Sequence, residues 1–322
     1  MSVARPPGGA DTTGGADTVH VADRLVAASE RAGSLACVGI DPRPELIPET
    51  VRRAALARHG TTSRAVGAAF VEFATGILEA VAGHCAAVKP QLACFEAYGA
   101  DGWEALAATV SHARELGLEV ILDGKRNDIG STAAHYQQGL LGAAPGLDGA
   151  PLPGLGGHWA TVNAYLGFDG VEPFLAAQPG AHGVFVLVKT SNPSSGDLQD
   201  QPSGTGSVAE TMARLVHLWG GGRTGRRGLS DVGAVVGATH PGHAAALRAL
   251  LPDSVLLVPG YGTQGAGAAD ALAGARPAGR DGVVVNSSRA ILGAWRAAGT
   301  DDYAAAARAA LDAMNADLNA AR

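Results

Sequence analysis

The segment Asp123-Gly-Lys-Arg-Asn-Asp128-Ile-Gly-Ser-Thr132 holds the densest group of chemistry-bearing side chains in the sequence. Asp123 and Lys125 stand two apart at the end of an extended apolar run, where side chains alternate between faces, so both can point the same way. An ammonium held between carboxylates stays protonated, and such a lysine can act as a general acid that delivers a proton to carbon. Lys89 and Asp41, each at the end of another apolar run, can complete an alternating array of charges. The competing reading of these residues alone is a solvated salt-bridge cluster.

What must position these groups is a set of short Val/Ile/Leu-rich runs at 35–40, 85–89, 118–122, 160–163, 183–188, 232–238, 254–258 and 282–286. They are continuously apolar, as parallel strands covered on both faces must be. Helical spacing fills most gaps, as in Ala65–Ala82, Trp103–Leu116, Ala209–Leu218 and Tyr303–Leu318. Eight βα units predict an α/β fold of the (β/α)8 TIM-barrel type, in which residues just after each strand face the active-site mouth. Those residues are Asp41, Lys89, the Asp123–Asp128 group, Asn163, Lys189 to Asn192, Pro259 with the following glycine loop and Gln264, and Asn286 to Arg289. Gly260, Gly262 and Gly265 spell GxGxxG, but a dinucleotide fingerprint opens the first βαβ unit and is followed by an acid about 20 residues on. Here the glycines follow the seventh run and the eighth ends in Asn286, so the loop fits phosphate binding by backbone amides better.

The chain has 322 residues, and its 24 Lys plus Arg against 30 Asp plus Glu leave a net charge of −6, the opposite of a nucleic-acid binder's basic footprint. No apolar run approaches the ~18 residues of a membrane span. Cys37, Cys85 and Cys94 show neither CxxC spacing nor a disulfide framework, which fits a reducing, cytoplasmic setting. Residues 1–20 are expected to be a disordered tail, and 21–322 a single barrel catalytic domain. The Gly/Pro/Ser-rich stretches 142–157 and 220–230 precede strands and read as surface insertions, whereas 192–206 follows a strand's C-terminal end and can fold over a ligand. His240 and His243 make an HxxH at a helix start without further ligands, and Arg223, Arg226 and Arg227 read as solvated surface.

The segment DGKRNDIGST resembles the DxKxxDI signature of the orotidine 5′-phosphate decarboxylases, in the type 2 form with Gly-Ser-Thr after the isoleucine. Val38–Leu46 (VGIDPRPEL), Val88–Gln91, Phe95–Gly99, Thr190–Pro193, Val235–Thr239, Val258–Gly260 with Gln264-Gly265, and Asn286–Arg289 are similar to other segments of that family, in the same order. The resemblance implies a lyase that converts orotidine 5′-monophosphate to UMP in pyrimidine biosynthesis, with no metal and no organic cofactor. It implies that Lys125 protonates C6, that Asp123 lies beside the substrate carboxylate, and that Asp41 and Lys89 contact the ribose and join the charge network. Asp128, Ile129 and Thr132 are then expected to enter the neighbouring subunit's site, making a homodimer with shared active sites. Ser191 is expected to read the pyrimidine edge. Pro259, Gln264, Ser288 and Arg289 belong to the substrate site, with Gln264, Arg289 and the loop amides on the phosphate.

The family motif after the fourth strand usually reads Val-Asn-Pro-Tyr, whereas Asn163 is followed here by Ala164, and His158-Trp159 replaces the acid common before that strand. Neither position carries the proton transfer. A magnesium-dependent 3-hexulose-6-phosphate synthase or 3-keto-gulonate-6-phosphate decarboxylase of the same suprafamily is the alternative enzyme, since its third strand bears a similar DxKxxD. A non-catalytic barrel that binds a phosphate ligand is the alternative outside enzymes.

Overall fold

The computed structural model of the chain describes residues 19–176, 180–262, 265–277, 279 and 281–322. One sheet holds eight strands: β1 (Ala36–Ile40), β2 (Ala87–Pro90), β3 (Ile121–Arg126), β4 (Trp159–Val162), β5 (Gly183–Lys189), β6 (Ser230–Val236), β7 (Ser254–Val258) and β8 (Val283–Ser287). Their order is β2-β1-β8-β7-β6-β5-β4-β3, with every pairing parallel. Parallel bridges from Val88 to Val120 and from Gln91 to Asp123 join β2 to β3 and bring the ring to closure. The expected (β/α)8 barrel is therefore the observed one, and helices Ser63–Val81, Gly99–Glu115, Val208–Trp219 and Tyr303–Ala320 lie where helical spacing placed them.

Alternation along the strands divides the core in two. Val38 and Ile40 of β1, Leu122 of β3 and Val184 and Val186 of β5 pack outward against helix residues such as Phe70, Phe73 and Ile77. Cys37, Ala87, Ile121, Trp159, Phe185, Val255, Leu257 and Val284 form a second cluster inside the ring, where Trp159 stacks on Phe185 at 4.7 Å. Helix Val21–Ala32 contributes Val21, Ala22 and Leu25 to this cluster. Two residues further along three of these strands, the same alternation gives Lys89, Asp123 and Thr161. The apolar floor of the barrel thus carries the charged layer on top of it.

Several expectations about loops need correction. The third apolar run ends at 122, but β3 continues through the Asp-Gly-Lys motif to Arg126. Arg223 is not solvated: its guanidinium donates to both oxygens of the fully buried Asp231, at 2.9 and 2.7 Å, and to the Leu175 carbonyl. Arg226 and Arg227 are exposed, as expected, but their amides donate to Asp23 of the first helix, at 2.8 Å each, so stretch 220–230 fastens that helix to the barrel. His20 also belongs to the fold, since its Nδ1 accepts the Ala22 amide at the helix start; the rest of the expected tail, residues 1–18, lies outside the described residues. Stretch 142–157 is the expected surface insertion, an exposed hairpin of Ala143–Pro145 against Pro151–Pro153.

Candidate active site

A cleft of about 400 Å³ opens at the C-terminal ends of the strands, lined by Asp41, Lys89, Asp123, Pro259, Ser288 and Arg289 together with Arg43, Gln91, Tyr261 and Asn286. Lys89 and Asp123 of this lining belong to an ion network that extends past it to Lys125, which is not among the lining residues. Lys89, at 4% exposure, places Nζ 2.6 Å from Asp123 Oδ2, and Lys125 Nζ lies 2.7 Å from Asp123 Oδ1. The Asp123 side chain is 8% exposed while that of Lys125 is 46% exposed, so the network runs from the barrel interior outward to an ammonium in reach of solvent.

Electrostatics fix the charge state. Burial by itself opposes ionisation of Asp123, yet Lys89 and Lys125 outweigh it and hold the carboxyl well below the usual carboxylate range. Burial likewise opposes a charged Lys89, but Asp123 and Asp41 together push it above the ordinary lysine range. Asp41 Oδ1 is buried without a protein hydrogen-bond partner, an acceptor suited to a hydroxyl.

Lys125 has φ 48°, the only positive φ of a non-glycine residue among those described. Such a conformation costs about 1–3 kcal/mol and persists only where the surroundings over-determine it. Here the Lys125 amide donates to Thr161 Oγ1 at 2.9 Å, and the same hydroxyl donates to Asp123 Oδ1 at 2.8 Å. Strand alternation alone therefore does not bring Lys125 to Asp123; a register shift between Leu122 and Arg126 and the Thr161 clamp do so. Gln91 Nε2 donates to Asp123 Oδ2 at 3.0 Å, which completes the shell around the carboxylate.

The other expected residues are distributed unevenly. Asp128 is half-buried just past β3, with Oδ1 accepting the Ile129 amide at 2.8 Å, and the ion pairs of Asp123 are with Lys89 and Lys125 rather than with any group near it. Ile129 is 58% exposed, and Thr132 is exposed on the first turn of helix Gly130–Leu140. Ser191 lies in the loop after β5, outside the residues lining the cleft. Gln264 lies outside the described residues. In the glycine loop Gly260, Gly262 and Gly265 all have positive φ, at 107°, 74° and 93°, which suits glycine alone. Two of the amides expected to face phosphate are engaged within the loop itself: Gly262 donates to Ala266 O and Gly265 to Gly262 O.

The contacts that Thr161 and Gln91 make with Asp123 escape the sequence reading, although Gln91 ends one of the segments that carry the resemblance. Thr161 sits in an apolar run where threonine is an ordinary strand former; the available signal was its spacing of two from Trp159, which puts it on the inner face. His240 and His243 stack at 5.6 Å at the start of helix Pro241–Leu250, the first as its N-cap and the second in its first turn, and among the described residues no three His, Cys, Asp or Glu side chains are grouped to hold a metal ion. No helix among the described residues is long and apolar enough to cross a membrane.

The model of the orotidine 5′-phosphate decarboxylase / HUMPS family matches residues 34–300, spanning the whole ring of strands and the network. The chain belongs to this family. A Rhodopirellula baltica protein named orotidine 5′-phosphate decarboxylase is 44% identical over 304 residues, covering 92% of this chain and 98% of the relative. Among solved structures, Leishmania donovani OMP decarboxylase superposes with a TM-score of 0.69 at 32% identity, covering 94% of this chain and 99% of that one. Leishmania donovani UMP synthase gives 0.74 at 33% identity over 95% of this chain, which spans only 57% of that longer chain.

Proposed function

We infer that the protein decarboxylates orotidine 5′-monophosphate to UMP in pyrimidine biosynthesis. The observation that carries this reading is the Lys89–Asp123–Lys125 network at the mouth of a barrel whose relatives bear that name. The phosphate is held by Arg289, Gln264 and the loop beginning at Pro259 and Gly260, beside Ser288, and the ribose hydroxyls lie at Asp41 and Lys89. Ser191 contacts the pyrimidine edge. That places the substrate carboxylate beside Asp123. Two like charges about 4 Å apart repel by about 4 kcal/mol at an effective dielectric of 20, worth roughly three decades of rate. The C6–carboxylate bond breaks with its electron pair remaining on C6, and Lys125 supplies the proton there as carbon dioxide leaves. The rest of the barrier reduction comes from the Lys125 charge on the developing carbanion and from phosphate binding energy used to position the ring.

The chemistry needs no metal or organic cofactor in this reading, because Lys89 supplies a cation facing both Asp41 and Asp123. The position of Asp128, past the strand end and outside the ion pairs of its own Asp123, supports a homodimer in which Asp128, Ile129 and Thr132 serve the partner's site. Residues 21–322 act as one catalytic domain. A cytoplasmic setting fits three unpaired cysteines, of which Cys37 and Cys85 are buried. The test is Lys125→Ala: turnover falls by at least ~10²-fold while the protein stays folded, and a smaller loss removes Lys125 as the main acid.

A further inference from the structure

The loop after β5 folds back on its own strand end through contacts that neither the network nor the cleft uses. Lys189, the last residue of β5, is 0% exposed and directs Nζ to Asp200 Oδ1 at 2.7 Å and to Ser195 Oγ at 3.4 Å. One residue in from each end, the Gln199 side chain clasps Thr190: its Oε1 accepts the Thr190 amide at 2.9 Å and its Nε2 donates to Thr190 Oγ1 at 2.8 Å. Helix Gly196–Gln199 and the 3-10 turn Pro193–Ser195 lie between these paired ends. On the other side, the Gly237 amide donates to Lys189 O at 2.7 Å. A Cβ at Gly237 would fall 2.9 Å from Ser191 Cβ and 3.0 Å from its Cα and N, so the serine sits directly against the end of β6.

A charged lysine with no exposure is costly unless paired, and an exposed loop gains nothing from two nested closures unless its strand-proximal residues must hold one geometry. We propose that Lys189, Gln199 and Asp200 are positioning residues, a latch that fixes Thr190 and Ser191 against Gly237 and so sets the edge that reads the pyrimidine ring. The inference rests on the reading that Ser191 contacts the ring. It predicts an effect on ring recognition that is separable from recognition of the sugar phosphate, which is held across the barrel by the loops after β7 and β8.

UMP and ribose 5-phosphate share the sugar phosphate and differ in the ring, so their dissociation constants separate the two effects. Gln199→Ala removes both contacts to Thr190 and is expected to weaken UMP by about tenfold while leaving ribose 5-phosphate within about twofold. Gln199→Glu keeps an acceptor for the Thr190 amide and recovers most of the loss. Thr190→Val, which keeps the amide side of the clasp and removes the hydroxyl that meets Gln199 Nε2 and donates to Asn192 Oδ1, gives a smaller split of the same sign and serves if Gln199→Ala fails to fold. Equal weakening of both ligands, or no weakening of UMP, overturns the latch. Ser191→Ala measured alongside tells the two failures apart: if it weakens UMP while the Gln199 and Thr190 variants do not, the latch is wrong, and if it leaves UMP unchanged, the ring-reading role of Ser191 is wrong and the latch falls with it.

Discussion

Replacing Thr161 by valine keeps the shape of a side chain that is 1% exposed and removes two hydrogen bonds at once, one to Asp123 and one from the Lys125 amide. The bond to the ionised Asp123 belongs to the charge-assisted class, worth about 1.5–3 kcal/mol, and the Lys125 N–H loses the partner that helps hold its φ of 48°. If about 2 kcal/mol of that loss is felt where Lys125 must meet C6, kcat falls about 30-fold. KM for orotidine 5′-monophosphate changes by less than about threefold, because Thr161 is not among the residues lining the cleft. Thr161→Ser keeps the hydroxyl and recovers most of the rate. The assay is the loss of orotidylate ultraviolet absorbance, with a thermal melt of each variant. A valine variant whose kcat stays within about twofold of wild type, whatever its Tm, refutes the idea that this hydroxyl sets the Asp123–Lys125 geometry.

Phosphate recognition is separable from chemistry: Gln264→Ala and Arg289→Ala weaken orotidine 5′-monophosphate far more than the phosphate-free nucleoside, and equal losses on both place the phosphate elsewhere. The network also sets a pH window. Asp123 is depressed in the folded state, so its contribution to stability is complete above the ordinary carboxylate value of about 4 and is lost as pH falls through its folded value; Lys89 is raised, so its contribution is complete below about 10 and is lost as pH rises further. Neither group then contributes a slope to kcat or Tm between about pH 6 and 9, and a slope there that disappears in Asp123→Asn contradicts the assignment. If Asp128 serves the partner's site, refolding equal amounts of Lys125→Ala and Asp128→Ala chains together restores about one quarter of wild-type activity, since half the dimers are mixed and each has one intact site. Verified heterodimers no more active than their parents return Asp128 to its own barrel.

The barrel was legible because strands covered on both faces are apolar without interruption, and β1 through β8 stand out from their Ala/Leu helices on that ground. Asp41, Lys89 and Asp123 were legible as charges terminating such runs. What the sequence hides is register and backbone conformation. Nothing in the string places Thr161 opposite Asp123 across β3 and β4, and lysine has no preference that announces a left-handed turn at Lys125. Arg223 was misread for the opposite reason: its charge lies in a glycine-rich loop, while its partner Asp231 sits eight residues on in an apolar strand. A lone acid in such a strand must be paired, and that was the available signal. The closure of the β5 loop by Gln199 and Asp200 also depends on contacts that spacing does not show.

Whether side chains alone carry out the decarboxylation is decided by mixing the purified wild-type protein with orotidine 5′-monophosphate in EDTA. Orotidylate absorbance is expected to disappear with stoichiometric UMP, at a rate unchanged by EDTA and lost in Lys125→Ala. Persistence of the absorbance with wild-type protein, or turnover that EDTA stops and magnesium restores, would contradict that expectation.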